Sequence, residues 1–176
     1  GILSNISFTL RQGEVVGIAG LRGAGRSEVV RAIFGADPID AGRILINGRE
    51  TIVSSPKVAI ANGLGLVPED RGTEGLFKNL SALQNIFMAS TRKGLIDHKQ
   101  EKAKARDHVA ALKVKLPSLA TLVGRLSGGN QQKIVLAKWL LGDLKLLILD
   151  EPARGIDVGS KSEIHKLMTQ FARQGL

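Results

Sequence analysis

The stretch LSGGNQQKIVLAKWLLGDLKLLILDEPARGIDVGS, residues 126–160, decides the fold. It holds two polar clusters joined by an apolar-periodic run. The first cluster is Ser127-Gly128-Gly129. Ser127 stands where a residue can cap the helix that follows, and the two glycines let another molecule approach the backbone closely. The free N–H groups and the positive dipole end of such a helix suit an anion such as phosphate. The second cluster closes the run Leu146-Leu147-Ile148-Leu149-Asp150-Glu151. Four aliphatic residues in a row predict a strand buried on both faces, with two carboxylates at its C-terminal end. Ligands of open α/β sheets collect at that end. An acid pair there suits a metal ion and an activated water. Taken singly, SGG also reads as an ordinary helix cap, and the acid pair as a strand ending at the surface.

Upstream, residues 15–19 predict another buried strand. It leads into Gly20-Leu21-Arg22-Gly23-Ala24-Gly25-Arg26-Ser27 and then a helix carrying Val29, Val30, Ile33 and Phe34. The phosphate-binding pattern G-x-x-x-x-G-K-[ST] requires this strand–loop–helix setting. Gly20 and Gly25 fill its glycine positions, and Ser27 its magnesium-binding hydroxyl. Arg26 stands where the pattern has lysine. A guanidinium is a longer planar fork with a different reach from an ammonium. The backbone N–H cradle does not depend on that side chain. Nucleotide binding is therefore expected to persist, and hydrolysis at this loop is left open. The plain alternative is a glycine-rich turn without a ligand.

LSGGN followed by QQK, then LLILDEP, then an aspartate shortly after, resembles the ATP-binding domain of ABC transporters in its signature loop, Walker B strand and D-loop. The resemblance implies an α/β, P-loop NTPase (RecA-like) core with an inserted α-helical subdomain. Residues 1–75 would be the first part of the core and residues 76–125 the helical subdomain. Residues 126–176 would be the signature loop, Walker B strand and end of the core. It also implies ATP and Mg²⁺ as ligands. Gly20, Gly23, Ala24, Gly25, Arg26, Ser27 and Glu28 would surround phosphates. Ser27 and Asp150 would hold the metal, and Glu151 would polarise the attacking water as general base. Ser127, Gly128 and Gly129 would reach the γ-phosphate held by a second ATPase half paired head to tail, with Asp157 across that interface. The second half would be the other half of the same chain or another copy.

Three features narrow the resemblance: Arg26, PEDRGTEGL (residues 68–76) and ARGIDVGS (residues 153–160). Together they resemble the second ATPase half of the tandem ATP-binding subunits of bacterial monosaccharide importers. That subset implies permease subunits in the membrane as partners, a periplasmic sugar-binding protein as an indirect one, and a peripheral place on the cytoplasmic face of the inner membrane. It also implies a longer polypeptide, because the family's adenine-stacking aromatic and switch histidine would fall before Gly1 and after Leu176. Where the family has its Q-loop glutamine, this sequence offers Glu69 or Asp70, which otherwise read as a solvent-exposed polar turn. Two other readings stay open. One is a catalytically impaired regulatory half, and the other a soluble ABC ATPase acting on nucleic acid or ribosomes.

Composition bounds these readings. The chain has 176 residues, 43% hydrophobic and 23% charged, which is enough for one domain with a sizeable core. No apolar run approaches the roughly 20 residues needed to span a bilayer. With no cysteine there is no disulfide framework and no thiolate metal site. The net charge of +9 raises the question of nucleic acid, but the basic residues are spread out. The cluster at residues 99–106 alternates with Gln100 and Glu101, as on a solvated helix face. Aromatics are only 3%, which argues against a base-stacking platform, and no nucleic-acid partner is expected.

The remaining segments read as local structure. Residues 2–10 predict a strand, 11–14 a turn, and 43–47 a strand with Gly48 turning it. Ser55-Pro56 starts a helix that Asn62-Gly63 stops, and residues 64–67 predict a strand. Residues 79–89 and 97–114 are helical in period, the second broken by Pro117. Trp139 is a core residue. Ser160 starts a last helix with Ile164, Leu167, Met168 and Phe171 on one face, and His165 is a surface or packing residue there.

Overall fold

A computed structural model describes residues 3–21, 23–89 and 98–176. Ile2, Arg22 and Asp97, which belong to a predicted strand, loop and helix, lie outside the described residues. The fold is built on two strands and one buried helix. Strand β3 (Leu64–Val67) pairs in parallel with β4 (Leu146–Leu149), with Leu64 opposite Leu146 and Val67 opposite Leu149. Asp150 extends the ladder, its N–H donating to the Val67 carbonyl at 2.9 Å. The C-terminal ends of both strands, and the loops that leave them, therefore lie side by side.

Helix α5 (Gly128–Leu140) is the spine of the core. Ile134, Val135, Leu136 and Ala137 are successive residues and all fully buried. A helix buried all round needs cover on every side. This one packs against α3 (Ala82–Phe87), α4 (His98–Ala111), β3, α6 (Val158–Arg173) and the π-helical turn Arg71–Gly75. Trp139 is the predicted core residue, meeting Phe34 edge to face at 5.8 Å between ring centroids.

The remaining elements follow their local signals. Helix α1 (Arg26–Ile33) follows the glycine-rich loop. A hairpin joins β1 (Leu45–Ile46) to β2 (Arg49–Glu50), shorter than the predicted strand over 43–47. Helix α2 (Pro56–Ala61) is capped by Ser55, whose Oγ accepts from the Val58 N–H. Helix α3 begins with a reciprocal capping box between Ser81 and Gln84.

Three expectations fail locally. Residues 3–10 and 15–19 are not strands, although the turn between them forms through the Glu14 N–H and the Arg11 carbonyl at 3.0 Å. Val15, Val16 and Ile18 are exposed rather than buried. A strand exists only through its ladder, and no described residue pairs with this segment across a sheet. The last helix starts at Val158 rather than Ser160, because Asp157 caps it. The Asp157 carboxylate accepts from the Ser160 N–H at 2.9 Å and from the Ser160 hydroxyl at 2.7 Å.

Candidate functional site

Two glycines of the loop that enters α1 adopt a turn backbone. Gly23 and Gly25 take left-handed φ angles of 81° and 84°, which favour glycine. Gly25 stands at the N-cap of α1, and no side chain caps the helix. The first amides of α1, on Arg26, Ser27 and Glu28, have no acceptor inside their helix and so are available to an anion. Gly20 is close-packed, since a Cβ there would stand 3.2 Å from the Ala24 Cβ. Gly23 and Ala24 are exposed.

Arg26 ties this loop to the end of β4. Its Nη2 donates to Glu151 Oε1 at 3.1 Å, joining residues 125 apart in sequence. Both side chains are partly exposed, at 32% and 41%. Glu151 has a φ of 44°, unusual for a residue other than glycine. Strain of this kind costs about 1–3 kcal/mol and collects at functional sites. Asp150, beside it at the strand end, is half-buried.

Ser27, Asp150 and Glu151 offer hard oxygen donors of the sort magnesium takes. Among the described residues no group of three or more His, Cys, Asp or Glu could hold a metal alone.

The Ser127-Gly128-Gly129 cluster lies at the start of α5. Ser127 is the N-cap by position, yet its hydroxyl does not cap the backbone as expected. It accepts instead from the Asn130 side-chain amide at 2.8 Å, and Asn130 Oδ1 accepts from the Lys115 N–H at 2.7 Å. Gln131 Nε2 donates to the Val123 and Leu126 carbonyls, fixing the chain that enters the helix. The two glycines are needed for contacts inside the chain. A Cβ on Gly128 would stand 2.6 Å from Arg71 Nη2, and one on Gly129 2.1 Å from Ser160 Oγ. The close approach predicted for another molecule is thus made, on these faces, by this chain's own residues. Asp157 is exposed, and the bonds from Ser160 hold its carboxyl below the usual carboxylate range.

The loop after β3 is more than a polar turn. Glu69 forms an ion pair with Arg154, and Asp70 Oδ1 accepts from the Gly72 N–H at 2.8 Å. That bond holds the Asp70 carboxyl low. Arg71 donates to the carbonyls of Arg154 at 2.7 Å and Gly155 at 3.0 Å. In the sequence neither Arg71 nor Arg154 carries a marked role. The one available signal was that both stand in the motifs PEDRG and ARG that marked the loops.

The profile of the family described as ABC transporter matches residues 3–154. A putative ribose/galactose/methyl galactoside import ATP-binding protein of Rhizobium etli is 57% identical over all of this chain and 34% of its own length. A ribose import ATP-binding protein of Streptomyces avermitilis is 48% identical over all of this chain and 36% of its own length. The chain thus spans about a third of the curated relatives it matches. Among solved structures, a nucleotide-free ATP-binding cassette from an ABC transporter superposes with a TM-score of 0.85 at 20% identity, covering 99% of this chain and 72% of that one. A dimeric cassette in a post-hydrolysis state with ADP and Pi gives 0.83 at 20% identity, covering 98% and 75%. The fold is that of an ABC ATPase cassette, and the chain belongs to the ABC transporter family.

Proposed function

We propose that this chain binds ATP on its glycine-rich loop and, paired head to tail with another ATPase half, hydrolyses it to drive monosaccharide import. One observation carries the reading. Arg26 and Glu151 meet at 3.1 Å, so the loop that would cradle the phosphates lies against the carboxylate that would activate water.

The free amides of residues 26–28 would bind the phosphates, with Arg26 adding charge. The Ser27 hydroxyl and Asp150 would hold magnesium, which when bound would supply charge neutralisation to the transferred phosphoryl group. Glu151 would take a proton from water as its oxygen bonds to the γ-phosphorus. The bond to the bridging oxygen breaks, giving ADP and phosphate. The signature residues 127–129 and Asp157 would serve the nucleotide of the opposite half. The proposal is the same for either half of a tandem protein, because each composite site takes a phosphate loop from one half and a signature loop from the other.

The sugar class comes from the names of the relatives. The membrane partners follow from it: permease subunits, a periplasmic binding protein behind them, and a peripheral site on the cytoplasmic face. No described helix is long and apolar enough to cross a membrane. The Arg26–Glu151 pair also favours a second reading, in which this half binds nucleotide and regulates a hydrolysing sister half.

Calorimetry of Mg-ATP binding tests the proposal. Binding is expected, and Ser27→Ala should weaken it. Binding unaffected by Ser27→Ala would move the nucleotide elsewhere. Arg26→Lys in the full-length protein separates the two readings, since raised turnover would identify the arginine as a brake.

A further inference from the structure

The loops that leave β3 and β4 are fastened together by Arg71 and Arg154, to which no motif assigns a role. Arg71 opens the π-helical turn after β3 and reaches the loop after β4, where its two terminal nitrogens bond the Arg154 and Gly155 carbonyls. Arg154 returns the contact through its ion pair with Glu69. The same Arg71 Nη2 fills the space where Gly128 has no side chain. One guanidinium thus touches three segments: the loop after β3, the loop after β4, and the first turn of α5. Its Nε is buried, with no acceptor among the described residues. A lysine ammonium is a point donor and does not reproduce a planar fork held against two carbonyls and a glycine.

We infer that Arg71 is a positioning residue for the ATP reaction proposed above, on which the inference rests. It holds residues 154–157 in register with Gly128. Asp157 and Ser160 complete the tie at Gly129, where the Ser160 hydroxyl lies closest. The surface formed by residues 127–129 and 157 therefore moves with the loop at 68–75. Displacement of that loop reaches the opposite half's nucleotide through Arg71.

The test uses the full-length polypeptide that contains this chain. ATP affinity is measured with a fluorescent analogue, alongside steady-state turnover and melting temperature. Arg71→Lys is expected to leave affinity and melting temperature unchanged while kcat falls by about tenfold or more, as misplacement of a reacting surface does. In Arg71→Ala, guanidinium at a sub-denaturing concentration should restore turnover, and methylammonium should not. Parental kcat in Arg71→Lys overturns the inference. So does a loss that follows melting temperature and resists guanidinium. If Arg71→Ala does not fold, Arg71→Lys still decides. A parent protein that neither binds nor hydrolyses ATP removes the ATP reading itself. An active parent with an unaffected Arg71→Lys removes this inference alone.

Discussion

Glu151 combines three properties that rarely coincide in a structural residue: a left-handed backbone, an acid at a strand's C-terminal end, and an arginine partner from a phosphate-type loop. The ion pair itself contributes little to stability. Both side chains are partly exposed, and such pairs are worth about 0–1 kcal/mol. In the reaction proposed above, phosphates would draw Arg26 away at small cost and leave Glu151 free for water. Stability and activity should then separate at this residue. Glu151→Gln is expected to change melting temperature little while lowering turnover by about a hundredfold or more, with ATP retained on the protein. Thermal unfolding beside single-turnover kinetics checks both halves of the statement. A variant that turns over normally would remove Glu151 from the chemistry.

Helix α5 places Lys138 between Trp139 and the π-helical turn. Its Nζ lies 5.0 Å from the Trp139 ring centroid and donates to the Gly75 carbonyl at 2.9 Å. Burial lowers its pKa from 10.5 to about 8. Below that value both folded and unfolded chains carry the charge, and the fold bears the desolvation of a cation. Between about 8 and 10.5 the folded chain has released a proton that the unfolded chain still holds, so this residue's contribution rises with pH. Lys138→Met should flatten the rise of unfolding free energy over that window, measured by urea titration at several pH values. An unchanged slope would show the ammonium to be solvated. At this scale much was legible in the sequence. Ser55-Pro56 announces α2, aliphatic runs announce β3 and β4, and apolar spacing announces α5, though not that distant elements cover it on every side. Residues 15–19 misled because their composition is that of a strand, while a ladder partner is a tertiary fact. Asp157 and Ser160 both suit a helix start, and only the side-chain bonds choose between them. The motifs that name the proposed site were legible through residue type and spacing. Arg71 and Arg154 were not, since a side chain bonded to a distant carbonyl leaves no period behind.

Across the whole molecule, packing is unequal. The buried residues gather around α5, β3 and β4, while residues 4–21 are exposed throughout. Ile6, Phe8, Leu10, Val15, Val16 and Ile18 leave apolar surface open to water on the segment that leads into the glycine-rich loop. Opening free energy follows buried contacts, so this chain should show a steep gradient of amide protection. In hydrogen exchange, residues 134–137 and 148 should be the slowest, and residues 4–21 should exchange at close to the unprotected rate. Nucleotide should alter only part of this pattern. Mg-ATP is expected to slow the amides of residues 23–28, which would bond phosphate oxygens, and to leave residues 4–12 fast. Protection confined to 23–28 would place the ligand on the cradle while the preceding segment stays unpaired. Slowing that spreads through 15–19 would show instead that nucleotide binding brings this segment into a sheet, so that the strand written in its composition forms on loading. No slowing at 23–28, at ATP concentrations where calorimetry records binding, would locate the nucleotide away from the glycine-rich loop and overturn the assignment of that loop.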